Sequence, residues 1–420
     1  MKMLDIKIFD VGFKETELGP LPEEWEVVRL GNVVKIIKGK KPKILSKNPS
    51  KNSLPYLTAE YFRHGVPKQF VDIEVEKELP ICKKEDVILI WDGSAGQVFS
   101  GFGGVLASTM VKVIPVINNL NKSYLYYFLI TKSNYLNSQT TGSVIPHVNK
   151  TVFFNLPLPL PPLEEQKAIA GILSTVQSAI EKTEKVINAL KNLKKSMMKH
   201  LFTYGPVAEE EVEKVELKET EIGLIPKHWE VVRVGEVAEI TMGQSPPGET
   251  YNTQGIGMPF LQGKAEFGRV YPSPVKYTTN PLKIGKTGSV LISVRAPVGD
   301  VNIANMDYCI GRGLASISFK NGYGYNEYLF YCLQFLKPSL EKEGYGSTFK
   351  AIGKEVLTKF QIPLPPLEEQ QKIAQILQSI DQRIEKEEKY KNALQNLFKS
   401  LLHNLMTGKI RVRVKSHGED

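Results

Sequence analysis

The sequence predicts an α+β chain: two mixed α/β bodies in a pseudo-two-fold tandem repeat, separated by two long helices that form an antiparallel coiled coil. Three observations lead there. The octapeptide PLPPLEEQ occurs twice, at 159–166 and 363–370, an offset of 204 residues. A seven-residue apolar period follows each copy. Before each copy lie short apolar runs, split by glycine-rich loops.

The repeat extends well beyond the octapeptide. Lys14-Glu15-Thr16-Glu17 returns at 218–221, and Trp25-Glu26-Val27-Val28-Arg29 returns at 229–233. Gly39 matches Gly243, Tyr124-Leu125 matches Tyr328-Leu329, Gly142-Ser143 matches Gly346-Ser347, and Lys150 matches Lys354. Every pair keeps the 204-residue offset. So long a period means two domain-sized halves rather than a solenoid.

Within the bodies, DVILI (86–90) and SVLISV (289–294) read as buried strands, as do VLASTMVKVIPV and LASISF. SYLYYFLI and NEYLFYCLQFL read as amphipathic helices. The prolines of the octapeptide hold the chain extended and forbid helix before them. Glu164 and Glu165 then fall in a first helical turn, where the helix dipole favours acids. On this reading PLPPLEEQ is a stiff joint between body and rod.

The rods have coiled-coil spacing. In the first, one series is Ile169, Val176, Thr183, Leu190, Met197 and the other Ile172, Ala179, Val186, Leu193, His200. In the second they are Ile373, Ile380, Glu387, Leu394, Leu401 and Ile376, Arg383, Tyr390, Leu397, Asn404. A rod of roughly 38 residues spans about 57 Å. The apolar pattern breaks near each midpoint, at Thr183 and at Arg383 with Glu387. An antiparallel pairing makes these breaks meet and fix register.

The boundaries expected are an N-terminal arm (1–20), a first body (21–163), a helix (164–205), an acidic linker leading into the second repeat (206–225), a second body (226–367), a helix (368–408) and a tail (409–420).

Hydrophobic residues make up 42% of the 420-residue chain and charged residues 24%, ordinary for a globular protein. No apolar run is long enough to cross a membrane, and the N-terminus lacks signal-peptide features. Cys82, Cys309 and Cys332 are scattered, without metal-ligand spacing. Net charge is +9, yet residues 208–221 hold −5, so the rest carries +14. That excess favours a polyanionic partner, nucleic acid first.

The bodies differ where the frame does not. Residues 35–51 hold seven lysines and no acid, whereas 239–255 hold no lysine and two glutamates. WDGSAGQV (91–98) faces VRAPVGDV (294–301). Lysines suit phosphate contacts, while arginine and glutamine suit base edges. Candidate DNA contacts in the first body are Lys38, Lys40, Lys41, Lys43, Lys47, Arg63, Lys68 and Lys150. In the second they are Gln244, Gln262, Lys264, Arg295, Arg312, Lys350 and Lys354. No methyltransferase tetrad, nucleotide-binding glycine loop, Walker lysine or metal spacing is present, so no catalysis and no cofactor is expected of this chain.

The LPPLEEQ joints, the Glu-Trp-Glu-Val opening, GSTFKAIGK (346–354) and LMTGKIRV (405–412) together resemble the specificity subunits of type I restriction-modification systems. The resemblance covers essentially the whole chain. It implies that the two bodies are target recognition domains, each reading one half of a split, asymmetric sequence in double-stranded DNA. It implies that the helices set the spacer and dock methyltransferase (M) subunits, two of them, with restriction-translocation (R) subunits completing a cytoplasmic complex. Methyl donor, ATP and magnesium then belong to those partners. A stand-alone DNA-binding regulator and a coiled-coil adaptor are the alternatives.

Overall fold

The computed structural model describes residues 12–142, 144–343 and 351–412. Ser143, Lys350, most of GSTFKAIGK and the end of the tail lie outside them. Two compact units emerge. One comprises the described residues up to Glu184 together with those from Tyr390 onward; the other is Lys185–Lys389. Each unit therefore holds one body and a part of each long helix, so the units cut through the helices rather than before them.

In the first unit, Val34–Lys38, Met110–Pro115, Val87–Ile90 and Val98–Phe99 form an antiparallel four-stranded sheet, in that order. Phe70–Asp72, Ser53–Leu57, Gly104–Leu106 and Ile81–Cys82 form a second sheet, with one parallel pair. The second unit repeats the first sheet as Ala238–Met242, Leu314–Phe319, Val290–Ser293 and Val301–Ile303. Its second sheet has five strands. Helices Lys122–Ser138 and Asn326–Phe335 cover the cores, burying Tyr124, Leu125, Phe128 and Leu129 in one, and Tyr328, Leu329 and Phe330 in the other.

The repeated peptides meet one another. Strand Glu26–Arg29 pairs antiparallel with Pro157–Leu160, setting Val27 opposite Pro159. Glu230–Arg233 pairs likewise with Gln361–Leu364, setting Val231 opposite Pro363. A two-stranded sheet has outer edges that need no donor, which is where strand prolines are tolerated. Below the ribbon, the buried Trp25 donates its indole N–H to Glu165 Oε2 at 3.0 Å, and Trp229 donates to Glu369 Oε2 at 2.8 Å. The buried Gln166 accepts from Asn121 N (2.9 Å) and donates to the carbonyls of Asn119 and Pro161, both at 2.8 Å. Gln370 makes the same three bonds, to Tyr325 N, Tyr323 O and Pro365 O. Tyr124 and Tyr328 donate to the carbonyls of Pro159 (2.7 Å) and Pro363 (2.8 Å). The octapeptide is thus a clasp as well as a joint. Glu164 is the exposed acid of the first turn, paired with Lys167; Glu165 is interior.

The long helices are Leu163–Tyr204 and Leu367–Met406. Within each unit their segments run antiparallel. In the first, Ile169 and Leu173 share a core with Leu405 and Met406, and Glu184 meets Lys391 at 3.2 Å. In the second, Ile187 packs with Ile384, and Leu201 and Phe202 share a core with Ile373 and Ala374.

The inward series differ from expectation by one residue. Ile169, Val176, Thr183, Leu190 and Met197 alternate with Leu173, Ile180, Ile187, Lys194 and Leu201. In the second helix Ile373, Ile380, Glu387, Leu394 and Leu401 alternate with Leu377, Ile384, Lys391, Phe398 and Leu405. Ile172 and Ile376 are only partly buried, while Val186, Leu193 and Leu397 are 42%, 47% and 46% exposed. The neighbouring pairs Ile172-Leu173, Val186-Ile187, Ile376-Leu377 and Leu397-Phe398 let either residue satisfy a heptad, so spacing alone does not choose. The midpoint break at Arg383 disappears with the correction. Arg383 is exposed and pairs with Glu387 of its own helix at 2.8 Å, and the Thr183 hydroxyl bonds Ala179 O at 2.8 Å. The polar groups that do link the helices are lysines. Lys194 binds both oxygens of the buried Asp381, at 2.9 and 2.7 Å, and the Tyr331 hydroxyl donates to the same carboxylate.

Candidate nucleic-acid interface

In the first unit five loops converge at one end of its sheets. They follow Val34–Lys38, Ser53–Leu57, Val87–Ile90 and Gly104–Leu106, and the fifth is 141–149. Backbone hydrogen bonds stitch four of them together: Gly39 N to Met110 O (2.9 Å), Lys40 N to Leu106 O (3.2 Å), Asp92 N to Thr109 O (3.0 Å), Gly93 N to Pro146 O (2.9 Å) and Val148 N to Trp91 O (2.9 Å). Gly39 is needed because a Cβ there would lie 2.0 Å from Ala107 O; at Gly243 it would lie 2.1 Å from Gly311 O. The close approach of loop to loop explains why this glycine appears in both halves.

The side chains on this frame are polar and largely exposed. Lys38 Nζ lies 3.1 Å from Asp92 Oδ2, and His147 Nδ1 lies 2.6 Å from Asp92 Oδ1. Arg63, at the end of helix Ala59–His64, donates to Ser94 Oγ at 3.1 Å. Lys40, Lys41, Lys43 and Lys47 are exposed on the loop beyond, whose backbone is anchored where Glu76 accepts from Ile44 N at 2.9 Å. Lys68 is drawn to Glu60. Lys150 starts a short helix with its ammonium 6.0 Å from the Phe154 ring.

The second unit builds the same cluster. Gln244 N bonds Ile310 O (2.9 Å), Arg312 N bonds Ser245 Oγ (3.3 Å), Val294 N bonds Gly313 O (2.9 Å) and Ile352 N bonds Val294 O (2.9 Å). Gly313 packs on the backbone of Gln262. Four residues from distant stretches, Gln244, Gln262, Arg295 and Arg312, therefore stand on adjoining loops, all exposed. Among the described residues no carboxylate lies within ion-pair distance of either arginine. Lys264 is different: it shares Asp300 with Lys337. Burial pushes that carboxyl up, but the two lysines outweigh it and hold it below the usual aspartate value. Lys354 is the exposed first residue of helix Lys354–Lys359.

Sequence reasoning missed Asp92, Ser94 and His147. Only their loop context reveals them, because the residues that face them come from other strands.

Comparison with known proteins fits this two-fold arrangement. The type I restriction modification DNA specificity domain matches the chain twice, over residues 22–192 and 226–396. A Methanocaldococcus jannaschii sequence assigned as the type I restriction enzyme MjaX specificity subunit is 39% identical over 429 residues, covering 96% of this chain and 97% of the relative. The MjaVIII specificity subunit of the same organism is 37% identical, covering 96% of each. A chain solved in work on complex assembly and conformational transition of the type I R-M system is 30% identical, with a TM-score of 0.53 over 92% of this chain and 99% of that one. The type I restriction-modification S subunit from M. genitalium shares the fold at 16% identity, with a TM-score of 0.66 over 93% and 97%. The chain belongs to the type I restriction modification DNA specificity family.

Proposed function

We infer that this chain supplies the DNA specificity of a type I restriction-modification complex, each unit reading one half of a bipartite target. One observation carries the reading: the same five-loop cluster is built twice on the same frame, with different exposed side chains. The first presents lysines, an arginine and a histidine; the second presents two glutamines and two arginines. Lysines on the loop 39–52 contribute phosphate contacts, which position the protein and make binding salt-dependent. Arg295, Arg312, Gln244 and Gln262 have the donor geometry for base edges in the major groove.

The chain is the non-catalytic member of the assembly. Two methyltransferase subunits dock on the helices, and restriction-translocation subunits complete the cytoplasmic complex. Among the described residues no helix is long and apolar enough to cross a membrane.

The test is methylation mapping of DNA from cells expressing this chain with its methyltransferase subunit. A split motif with a fixed gap, absent when this chain is omitted, is expected. Replacing residues 21–163 by those of a relative should change one half of the motif only. A single uninterrupted motif, or none, overturns the reading.

A further inference from the structure

The loop 141–149 of the first unit holds one imidazole with unusual care. Thr141 and His147 exchange both backbone hydrogen bonds, at 2.9 and 2.8 Å. A second bridge ties His147 to Asp92. Behind the ring, Gly142 has a φ of +97°, and a Cβ there would stand 3.0 Å from His147 Cδ2 and 2.6 Å from Ile145 O. The side chain is clamped as well. Nδ1 lies 2.6 Å from Asp92 Oδ1, so the shared proton must sit between them, because two bare acceptors repel at that distance. Nε2 therefore carries a lone pair in the neutral ring and an N–H in the imidazolium. Among the described residues no protein group hydrogen-bonds it, and the side chain is 46% exposed.

Charged groups surround the ring. Asp92 faces it from the loop after Val87–Ile90, and Lys38, at the end of its strand, lies 3.1 Å from the other oxygen of Asp92. Arg63 reaches the same loop through Ser94. Lys150 stands three residues further along the chain, beside Phe154. Next to the ring, Val144 and Ile145 are 90% and 54% exposed, apolar side chains at a loop tip. A thymine methyl is an apolar partner available in the major groove, and guanine N7 and O6 are acceptors there.

We propose that His147, oriented by Asp92, donates from Nε2 to an acceptor on a base edge of the first half-site, with Val144 and Ile145 seated against neighbouring base edges. This rests on the reading that the unit binds DNA. Asp92 and Lys38 are positioning residues. In the second unit Arg295 and Ala351 stand at the equivalent positions, joined by the matching backbone bridge, so its half-site is read without an imidazole.

The test uses the complex with its methyltransferase subunit and DNA sets varied in one half-site at a time, at about pH 6 and about pH 8, spanning the range where an imidazole titrates. In wild type, discrimination at the first half-site should weaken at the higher pH while the second half-site is unaffected. His147→Gln should relax one base position of the first half-site by roughly tenfold and abolish its pH response. Asp92→Asn should reduce the pH response, with the second half-site as the internal control for folding. A split motif and pH profile unchanged in His147→Gln overturn the proposal alone. So does a loss uniform across all sequences, which marks a phosphate contact. A wild-type complex with no split motif overturns the proposed function and this inference with it.

Discussion

The clasp and the loop cluster occur in both units; the clasp keeps its letters, while the loops keep Gly39 and Gly243 and change most of their exposed side chains. Trp25, Tyr124, Pro159, Glu165 and Gln166 correspond one for one to Trp229, Tyr328, Pro363, Glu369 and Gln370. Each takes part in a buried or half-buried hydrogen bond, and losing one partner leaves the other without it. Lys40 and Gln244 are tied to the frame through their backbone N–H groups and their side chains are exposed, so either can occupy the same place. What differs in the clasp is its outer closure. In the first unit Arg411 grips both oxygens of Glu165, at 2.6 and 2.9 Å, and also reaches Glu24. Burial depresses the Arg411 guanidinium, but these carboxylates outweigh it and leave its pKa raised. In the second unit His228 meets Glu369 at 2.8 Å, and Glu369 is the more exposed of the two glutamates.

The sharpest way to break this comparison is to remove the glutamate from each clasp. Glu165→Ala leaves Trp25 and Arg411 without their common acceptor and should cost about 3–5 kcal/mol, the range for a broken buried pair. Glu369→Ala, at a wetter site, should cost about 1–3 kcal/mol. Urea unfolding followed by hydrogen exchange in each unit checks both; equal losses would mean that the arginine closure adds nothing.

The helix frame comes next. Ile187→Ala and Ile384→Ala remove buried side chains and should each cost about 2–5 kcal/mol. Leu193→Lys and Leu397→Lys, one step from inward positions, should stay within about 0.5 kcal/mol. Thermal unfolding of the four variants decides the register, and the reverse order would restore the frame read from spacing.

The two inward lysines then separate the units. Lys194 and its partner Asp381 are 15% and 3% exposed, whereas Lys391 and Glu184 are 24% and 55% exposed. Lys194→Met strands a buried carboxylate and should cost about 3 kcal/mol. Lys391→Met should cost less than about 1 kcal/mol. Similar losses in urea would show that depth does not decide.

The smallest effect is in acid. Burial pushes the Asp86 carboxyl up, but hydrogen bonds from Lys83 N–H, Lys112 and Lys122 win and lower it, much as Lys264 and Lys337 lower Asp300. A folded pKa below the unfolded one stabilises fully above about pH 4 and is lost as pH falls through the folded value. Asp86→Asn and Asp300→Asn should each flatten the acid limb of stability for their own unit. A limb as steep as wild type in both would place its cause elsewhere.

Much of this was legible early for physical reasons. DVILI, SVLISV and LASISF are runs dominated by apolar residues, and they form the buried strands Val87–Ile90, Val290–Ser293 and Leu314–Phe319. The candidacy of Gln244, Gln262, Arg295 and Arg312 was open to reasoning from residue type alone, since each is a base-reading type, but their standing on adjoining loops was not. The second role of Glu165 was not, because an acid after Pro-Pro-Leu satisfies a helix N-terminus as well as a tryptophan. The Asp92–His147 contact was not either, because its partners lie 55 residues apart on loops without periodicity.

By itself the sequence determined the duplication, the α+β class, the two helices and the family, since these depend on local period and on letters kept at one offset. Tertiary structure decided which residue of each apolar pair turns inward, which lysines bridge the helices, and which loop side chains stand together. Those choices depend on what lies across a packed interface, and one strand or helix does not carry that information along its own length.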